Sequence, residues 1–216
     1  MDIFDWYRKI IAGKRGVVFE FGCNDGYHTS ILSGIAGNLC TGYRYFALEP
    51  DHRVFPCLHD RVKDNPSITL IQAAVHSAGG MHEFYLSSGT GDDGSVYSGS
   101  SSLLKPGGVT RVWPRMRFDS VATVQCFTYD ELFDNAGVDM VDFIWADIQG
   151  AEINLILGGQ KALKKTRYLY AEYSNGGLYE GDAPLDNLLA ALPEGWEIAE
   201  DFKGDVLFGN TGTGSW

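Results

Sequence analysis

The chain has 216 residues, enough for one domain with a full core and short for two. Hydrophobic residues make up 44% and charged residues 21%, near the soluble globular average, which excludes disorder for most of the chain. Its 28 acidic against 17 basic residues give a net charge of −11, which repels phosphate backbones and disfavours a nucleic-acid partner.

Ile3, Trp6, Tyr7, Ile10 and Ile11 recur at helical spacing and predict an amphipathic helix within residues 1–15, ended by Gly13. Val17 to Phe21 reads as a buried strand stopped by Gly22, and Gly26 to Ala36 as the helix after it. Tyr45 to Glu49 is a second buried strand. Pro50 stops it, and Asp51 is placed to cap a helix running to about Val62. Ile68 to Val75 and Met81 to Leu86 read as strands. Residues 87–108 are rich in Gly and Ser and too long for a plain turn, so a lid or substrate loop is expected over 87–118. Arg111, Arg115 and Arg117 surround Trp113 there and read as a substrate-facing or solvated segment. Strand 122–127, helix 129–136, strand 141–146, helix 151–164, strand 168–173 and helix 185–192 follow. A hairpin from Trp196 to Phe208, turning at Lys203-Gly204-Asp205, closes the pattern. Strands alternating with helices specify a single α/β domain over 1–216, with a mostly parallel sheet and a terminal antiparallel hairpin.

The four cysteines, Cys23, Cys40, Cys57 and Cys126, show neither CxxC nor zinc spacing. They read as reduced thiols of a cytoplasmic protein. The acidic N-terminus does not resemble a signal peptide, and no run approaches the roughly 20 apolar residues of a membrane span.

In open α/β sheets ligands bind at the carboxyl ends of the strands. There the first strand gives way to Gly22-Cys23-Asn24-Asp25-Gly26, whose glycines let a ligand approach the backbone. This is GxxxG, without the GxGxxG of dinucleotide sites and without the Gly-Lys-Ser/Thr of a phosphate-binding loop. Glu20 and Asp25 suit a ligand carrying amino and sulfonium cations and repel a pyrophosphate. Glu49 ends the second strand, where a carboxylate can accept hydrogen bonds from two ribose hydroxyls.

Glu20-Phe21-Gly22-Cys23-Asn24-Asp25-Gly26 followed by Leu48-Glu49-Pro50 resembles the first two motifs of class I S-adenosylmethionine-dependent methyltransferases. Downstream come Ala73-Ala74-Val75-His76, Gly79-Gly80-Met81-His82-Glu83-Phe84-Tyr85, Ser100-Ser101-Ser102-Leu103 and Thr128-Tyr129-Asp130-Glu131-Leu132. Val141-Asp142-Phe143-Ile144, Asp147-Ile148-Gln149-Gly150-Ala151-Glu152 and Asp205-Val206-Leu207-Phe208 complete the series. In this order, over roughly 16–210, they resemble the FkbM family.

The resemblance implies a Rossmann-like class I methyltransferase fold and S-adenosylmethionine as cofactor. Glu20, Gly22, Asn24 and Gly26 would line its methionine and ribose portion, Glu49 would hold the ribose hydroxyls, and Gln72 and Ala73 would border the adenine. Asp147 would lie beside the methyl group. The implied reaction is O-methylation of a hydroxyl on a sugar, glycan or small metabolite.

An unactivated hydroxyl must lose its proton, and the candidate bases are Asp147, Glu152, Glu172, His76 and His82. Asp147 and Glu172 lead, because both end apolar strands and should point into the cleft. No metal ligand set stands out. Tyr97, Trp113, Tyr173 and Tyr179 could stack on an acceptor. Family members commonly carry a lysine and a glutamate around the fourth-strand aspartate, where Trp145 and Gln149 stand here. That departure keeps open a noncatalytic nucleoside-binding or regulatory module. An NAD-dependent dehydrogenase is weakened by the missing GxGxxG. Expected partners are the acceptor and, as an open possibility, a second copy of the chain, with no nucleic acid and no membrane.

Overall fold

The computed structural model describes residues 1–90 and 98–214. Tyr97 and part of the expected lid lie outside the described residues. The chain opens with α1 (Ile3–Ile11), whose first turn is capped by the Asp2 carboxylate accepting from Asp5 N at 2.8 Å. Then come β1 (Val17–Phe21), α2 (Tyr27–Leu39), β2 (Arg44–Leu48), α3 (Phe55–Val62), β3 (Ile68–Ile71), β4 (Ala74–Val75) and β5 (Gly80–Ser88). The second half holds α4 (Val109–Val112), β6 (Arg117–Phe127), α5 (Tyr129–Ala136), β7 (Phe143–Ala146), α6 (Glu152–Leu157), β8 (Tyr168–Glu172), α7 (Leu185–Ala191), β9 (Trp196–Asp201) and β10 (Asp205–Asn210).

The main sheet has the order β3-β2-β1-β7-β8-β10-β9. The pairings β1–β2, β2–β3, β1–β7 and β7–β8 are parallel, and β10 runs antiparallel to both neighbours. The expected α/β architecture with a closing hairpin is therefore present. After β3 the chain crosses back to lay β7 beside β1, so the strand order reverses between these two. The crevice at their carboxyl ends is where an open α/β sheet binds its ligand.

Side chains alternate across the strands and feed two cores. Phe19, Phe21, Ile144 and Leu169 pack with Tyr129, Leu155 and Leu188 of α5, α6 and α7. Val18, Phe143 and Trp145 face the other way, onto Tyr7, Leu32 and Leu58 of α1, α2 and α3. Helix α5 carries a full capping box, Thr128 with Glu131.

Three expectations need correction. The run Ile68–Val75 is not one strand. It leaves the main sheet after Ile71, where Ala73 N donates to Ile71 O, and Ala74–Val75 joins β5 and β6 in a separate three-stranded sheet. The helix expected over 151–164 ends at Leu157, because a Cβ on Gly158 would stand 2.4 Å from the His76 carbonyl oxygen and one on Gly159 2.6 Å from the Tyr129 ring. Here the close approach of α6 to its neighbours overrides helical periodicity, and a 3-10 turn (Ala162–Lys165) carries the chain on. Asp51 does not cap α3 with its side chain. Val54 is the N-cap, and the Asp51 carboxylate turns instead to Arg53 and Ser101.

Candidate functional site

The turn after β1 is held open by backbone geometry. Gly22 has φ +84°, and a Cβ there would stand 1.9 Å from the Asp147 carbonyl oxygen at the end of β7. Gly22→Ala is expected to cost about 3 kcal/mol or more through strain and clash. The thermal midpoint should then fall by roughly 6–12 °C. An unchanged midpoint would mean that the two strand ends can separate freely.

A cleft of about 230 Å³ opens at this point, between the ends of β1, β2 and β7. Its polar side carries Asn24, Asp25, Glu49 and Asp147, with His28 from the first turn of α2. Its apolar side carries Leu48, Ala73, Val75, Phe84 and Leu103, drawn from both sheets and the segment after residue 97. Neither Lys nor Arg lines it among the described residues.

Glu49 is 5% exposed, and its carboxylate accepts Asn24 N and Asp51 N, each at 2.7 Å. Each oxygen keeps a free lone pair, so the carboxylate is fixed in place with capacity for two further donors. Burial pushes its pKa up to about 7 against the pull of these two N–H bonds. The Asn24 Oδ1 atom is buried with no partner among the described residues, an acceptor awaiting a donor. Acceptors and carboxylates facing a flat apolar wall fit a nucleoside that carries cations and hydroxyls.

Three residues expected at the cofactor do not line this cleft. Strand alternation turns Glu20 away from the cleft onto α2, where it is 1% exposed and accepts Tyr45 OH at 2.7 Å. Burial raises its pKa to about 7. Gln72 is exposed and off the cleft wall. Gly26 is the N-cap of α2 with φ +84°, and a Cβ there would meet Leu58 of α3 at 2.9 Å. Gly22, Asn24, Asp25, Glu49, Ala73 and Asp147 do line the cleft.

Behind Asp147 lies a second cavity of about 290 Å³, walled by Trp113, Tyr173 and Tyr179, with Glu152 at the start of α6 and Glu172 at the end of β8. Among the described residues Gln149 is the one on both walls. Its Nε2 donates to Asp147 Oδ1 at 2.7 Å and to Glu172 Oε2 at 2.9 Å, and Tyr179 OH donates to its Oε1 at 3.3 Å. The backbone there is left-handed, φ +54°, a conformation that side chains other than glycine adopt at some cost. Burial raises the pKa of both Asp147 and Glu172, and their mutual repulsion raises Glu172 further. Such a pair holds a proton more readily than an isolated carboxylate.

Glu152 is buried, accepts Ile148 N at 3.1 Å, and is pushed up to about 8 by burial. Tyr179 is held by Asp182, whose carboxylate accepts Ser174 OH and the N–H groups of Gly177, Leu178 and Tyr179. His76 and His82 are not brought to the site. They pack on each other, ring centroids 4.2 Å apart, against a different cavity. Trp145 fills the core between Phe4, His28 and Tyr170 instead of facing the cleft. Arg111, Arg115 and Arg117 are exposed.

Sequence reading missed His28 on the wall, the bridging role of Gln149, and Arg53. For His28 the available signal is its place one residue into the helix after the glycine turn. Among the described residues no group of three or more His, Cys, Asp or Glu is arranged to hold a metal ion, and no helix is long and apolar enough to cross a membrane.

The family model for the methyltransferase FkbM domain matches residues 20–198. The chain is 33% identical over 199 residues to 2-O-methyltransferase NoeI of Sinorhizobium fredii, covering 90% of this chain and 79% of that protein. Among solved structures it resembles a methyltransferase FkbM from Methylobacillus flagellatus, at 16% identity and TM-score 0.53, over 95% of this chain and 50% of that one. A putative methyltransferase from Streptococcus mutans in complex with S-adenosylhomocysteine matches at 8% identity and TM-score 0.51, over 97% of this chain and 98% of that one. The fold is thus that of class I methyltransferases, and with a family match across most of its length the chain belongs to the FkbM methyltransferase family.

Proposed function

We propose that this protein is an S-adenosylmethionine-dependent O-methyltransferase acting on a hydroxyl of a sugar, glycan or small metabolite. One observation carries the reading: two cavities meet at Asp147, Gln149 and Glu172, one shaped for a nucleoside and the other walled by aromatic rings and carboxylates. The 2-O-methyltransferase name of the Sinorhizobium fredii relative supports oxygen as the acceptor atom.

When bound, the cofactor supplies a methyl carbon activated by its sulfonium. Glu49 would accept the ribose hydroxyls on its two free lone pairs, and the wall of Leu48, Ala73 and Phe84 would cover the base. Asn24 Oδ1 and Asp147 would face the cationic end. Transfer to a hydroxyl forms a carbon–oxygen bond as the carbon–sulfur bond breaks, and it releases one proton. Asp147 and Glu172 are the groups that can accept that proton, because an acceptor in the second cavity reaches them in place of the Gln149 amide. A cytoplasmic setting belongs to the same reading and draws on four free thiols.

Calorimetric titration with S-adenosylmethionine, S-adenosylhomocysteine and NAD tests this. Both sulfur compounds should bind and NAD should not; absence of binding by both would remove the proposal. The Gln149 amide, which already occupies both carboxylates, favours a second reading as a nucleoside-binding module. That reading requires cofactor binding with no methyl transfer across a panel of glycosides.

A further inference from the structure

We propose that Arg53 is a positioning residue that makes occupancy of the cofactor cleft set the wall of the acceptor cavity. This rests on the assignment of the cleft to the cofactor.

The segment Ser98–Ser102 divides the two cavities. Ser98, Gly99 and Ser101 line the cofactor cleft, whereas Ser100 lines the second cavity. Ser102 is fully buried and donates its hydroxyl to the Gln149 carbonyl oxygen at 2.8 Å. Ser100 O accepts Tyr179 OH at 2.8 Å. One strap therefore holds the partition residue and an aromatic wall of the acceptor side.

What holds the strap is Arg53. Its Nε donates to both Asp51 carboxylate oxygens, at 2.9 and 3.1 Å. Its Nη1 donates to Ser87 O at 3.0 Å and its Nη2 to Ser101 Oγ at 3.1 Å. Asp51, 1% exposed, accepts Ser101 OH at 3.2 Å, and Ser101 Oγ in turn accepts Ser87 N at 3.0 Å. The backbone N–H of the same Asp51 donates to Glu49 Oε1. Residue 51 thus grips the ribose carboxylate with its backbone and, through Arg53, the strap with its side chain. A donor that fixes Glu49 also fixes Asp51, Arg53, Ser101 and the Ser100 wall in turn.

Only a planar guanidinium spans a carboxylate and two further acceptors at once, so a lysine cannot make this junction. Coupling of binding is reciprocal: an acceptor that settles against Ser100 and Tyr179 tightens cofactor binding by the same factor. Cofactor in the cleft would thus hold the acceptor wall in the arrangement seen here, which favours the cofactor binding first.

The test is amide hydrogen exchange read by mass spectrometry on the full chain, with S-adenosylhomocysteine as the probe. In the unaltered protein the probe should slow exchange at 22–26 and, by about fivefold or more, at 98–104. Arg53→Gln should keep slowing at 22–26, bind the probe about five- to tenfold more weakly, and lose the slowing at 98–104. Arg53→Lys should behave like Arg53→Gln. Retention of full slowing at 98–104 in either variant overturns the proposal. If Arg53→Gln fails to fold, Ser101→Ala removes the hydroxyl from the junction and carries the same expectation. Failure of the probe to bind the unaltered protein removes the cofactor assignment and this inference with it. Binding that slows 22–26 but not 98–104 removes this inference alone.

Discussion

Asp147→Asn is expected to lower kcat by about 10²–10⁴-fold, the usual contribution of a positioned acid–base group, and to change S-adenosylhomocysteine affinity less than about threefold. The asparagine keeps the size of the side chain and can still meet Gln149, which donates to Asp147 Oδ1 at 2.7 Å. What it loses is the capacity to take a proton. Burial raises the pKa of Asp147, while the Gln149 bond and the charge of His28 oppose the rise. Glu172 is raised by burial and then by Asp147 itself. Removing the Asp147 charge should therefore lower the Glu172 pKa, so the pH–rate profile should shift to lower pH in the variant. Steady-state kinetics on the first glycoside found to be methylated, alongside calorimetry, checks both parts. Equal kcat in variant and parent would mean that Glu172 alone accepts the proton or that no base is needed.

Glu49→Ala should weaken S-adenosylhomocysteine binding about a hundredfold or more. Two hydrogen bonds to a charged acceptor contribute about 1.5–3 kcal/mol each, and a loss of about 2.7 kcal/mol is already a hundredfold. The alanine also strips Asn24 N and Asp51 N of their acceptor and loosens the turn that the ligand meets. In the parent protein, affinity for the ligand should depend on pH. Burial raises Glu49 from 4.5 to about 7, so its ionised form, the one proposed to accept the ribose hydroxyls, is present above that value. Affinity should rise as pH climbs from about 6 to 8, with uptake of the ligand releasing a proton. In the ligand-free protein the sign is reversed. A carboxyl whose folded pKa is raised stabilises fully below its unfolded value near 4.5 and loses that contribution as pH rises through about 7, at about 1.4 kcal/mol per pH unit. Thermal melts from pH 5 to 8 should therefore fall for the free protein and recover with ligand. An affinity flat across this range would show that Glu49 is ionised throughout.

Much of this was legible in the residues. Strand and helix alternation gives the layered sheet, because short buried apolar runs alternate with stretches of helical periodicity. Gly22, Asn24, Asp25 and Glu49 are legible because they sit at strand ends, and in a parallel sheet all such ends open on one side. The same logic located Asp147 and Glu172, whose side chains meet through Gln149. Glu20 was harder. Its strand is buried on both faces, so polarity does not alternate along it, and nothing local says that Glu20 turns toward Tyr45 and α2. The split of Ile68–Val75 into two sheets was equally hidden, since both halves are apolar and only the partner strands differ.

By itself, then, the sequence determined the α/β layering and placed Asp25, Glu49 and Asp147 after the strands whose carboxyl ends open the cleft, because these follow from short-range pattern and the direction of the strands. The tertiary structure alone decided how the two cavities are joined. Gln149 bridges strand ends that are far apart in the chain, and Arg53 ties Asp51 to Ser87 and Ser101. Hydrogen bonds of this kind depend on where folding brings distant segments together, and no local periodicity records them.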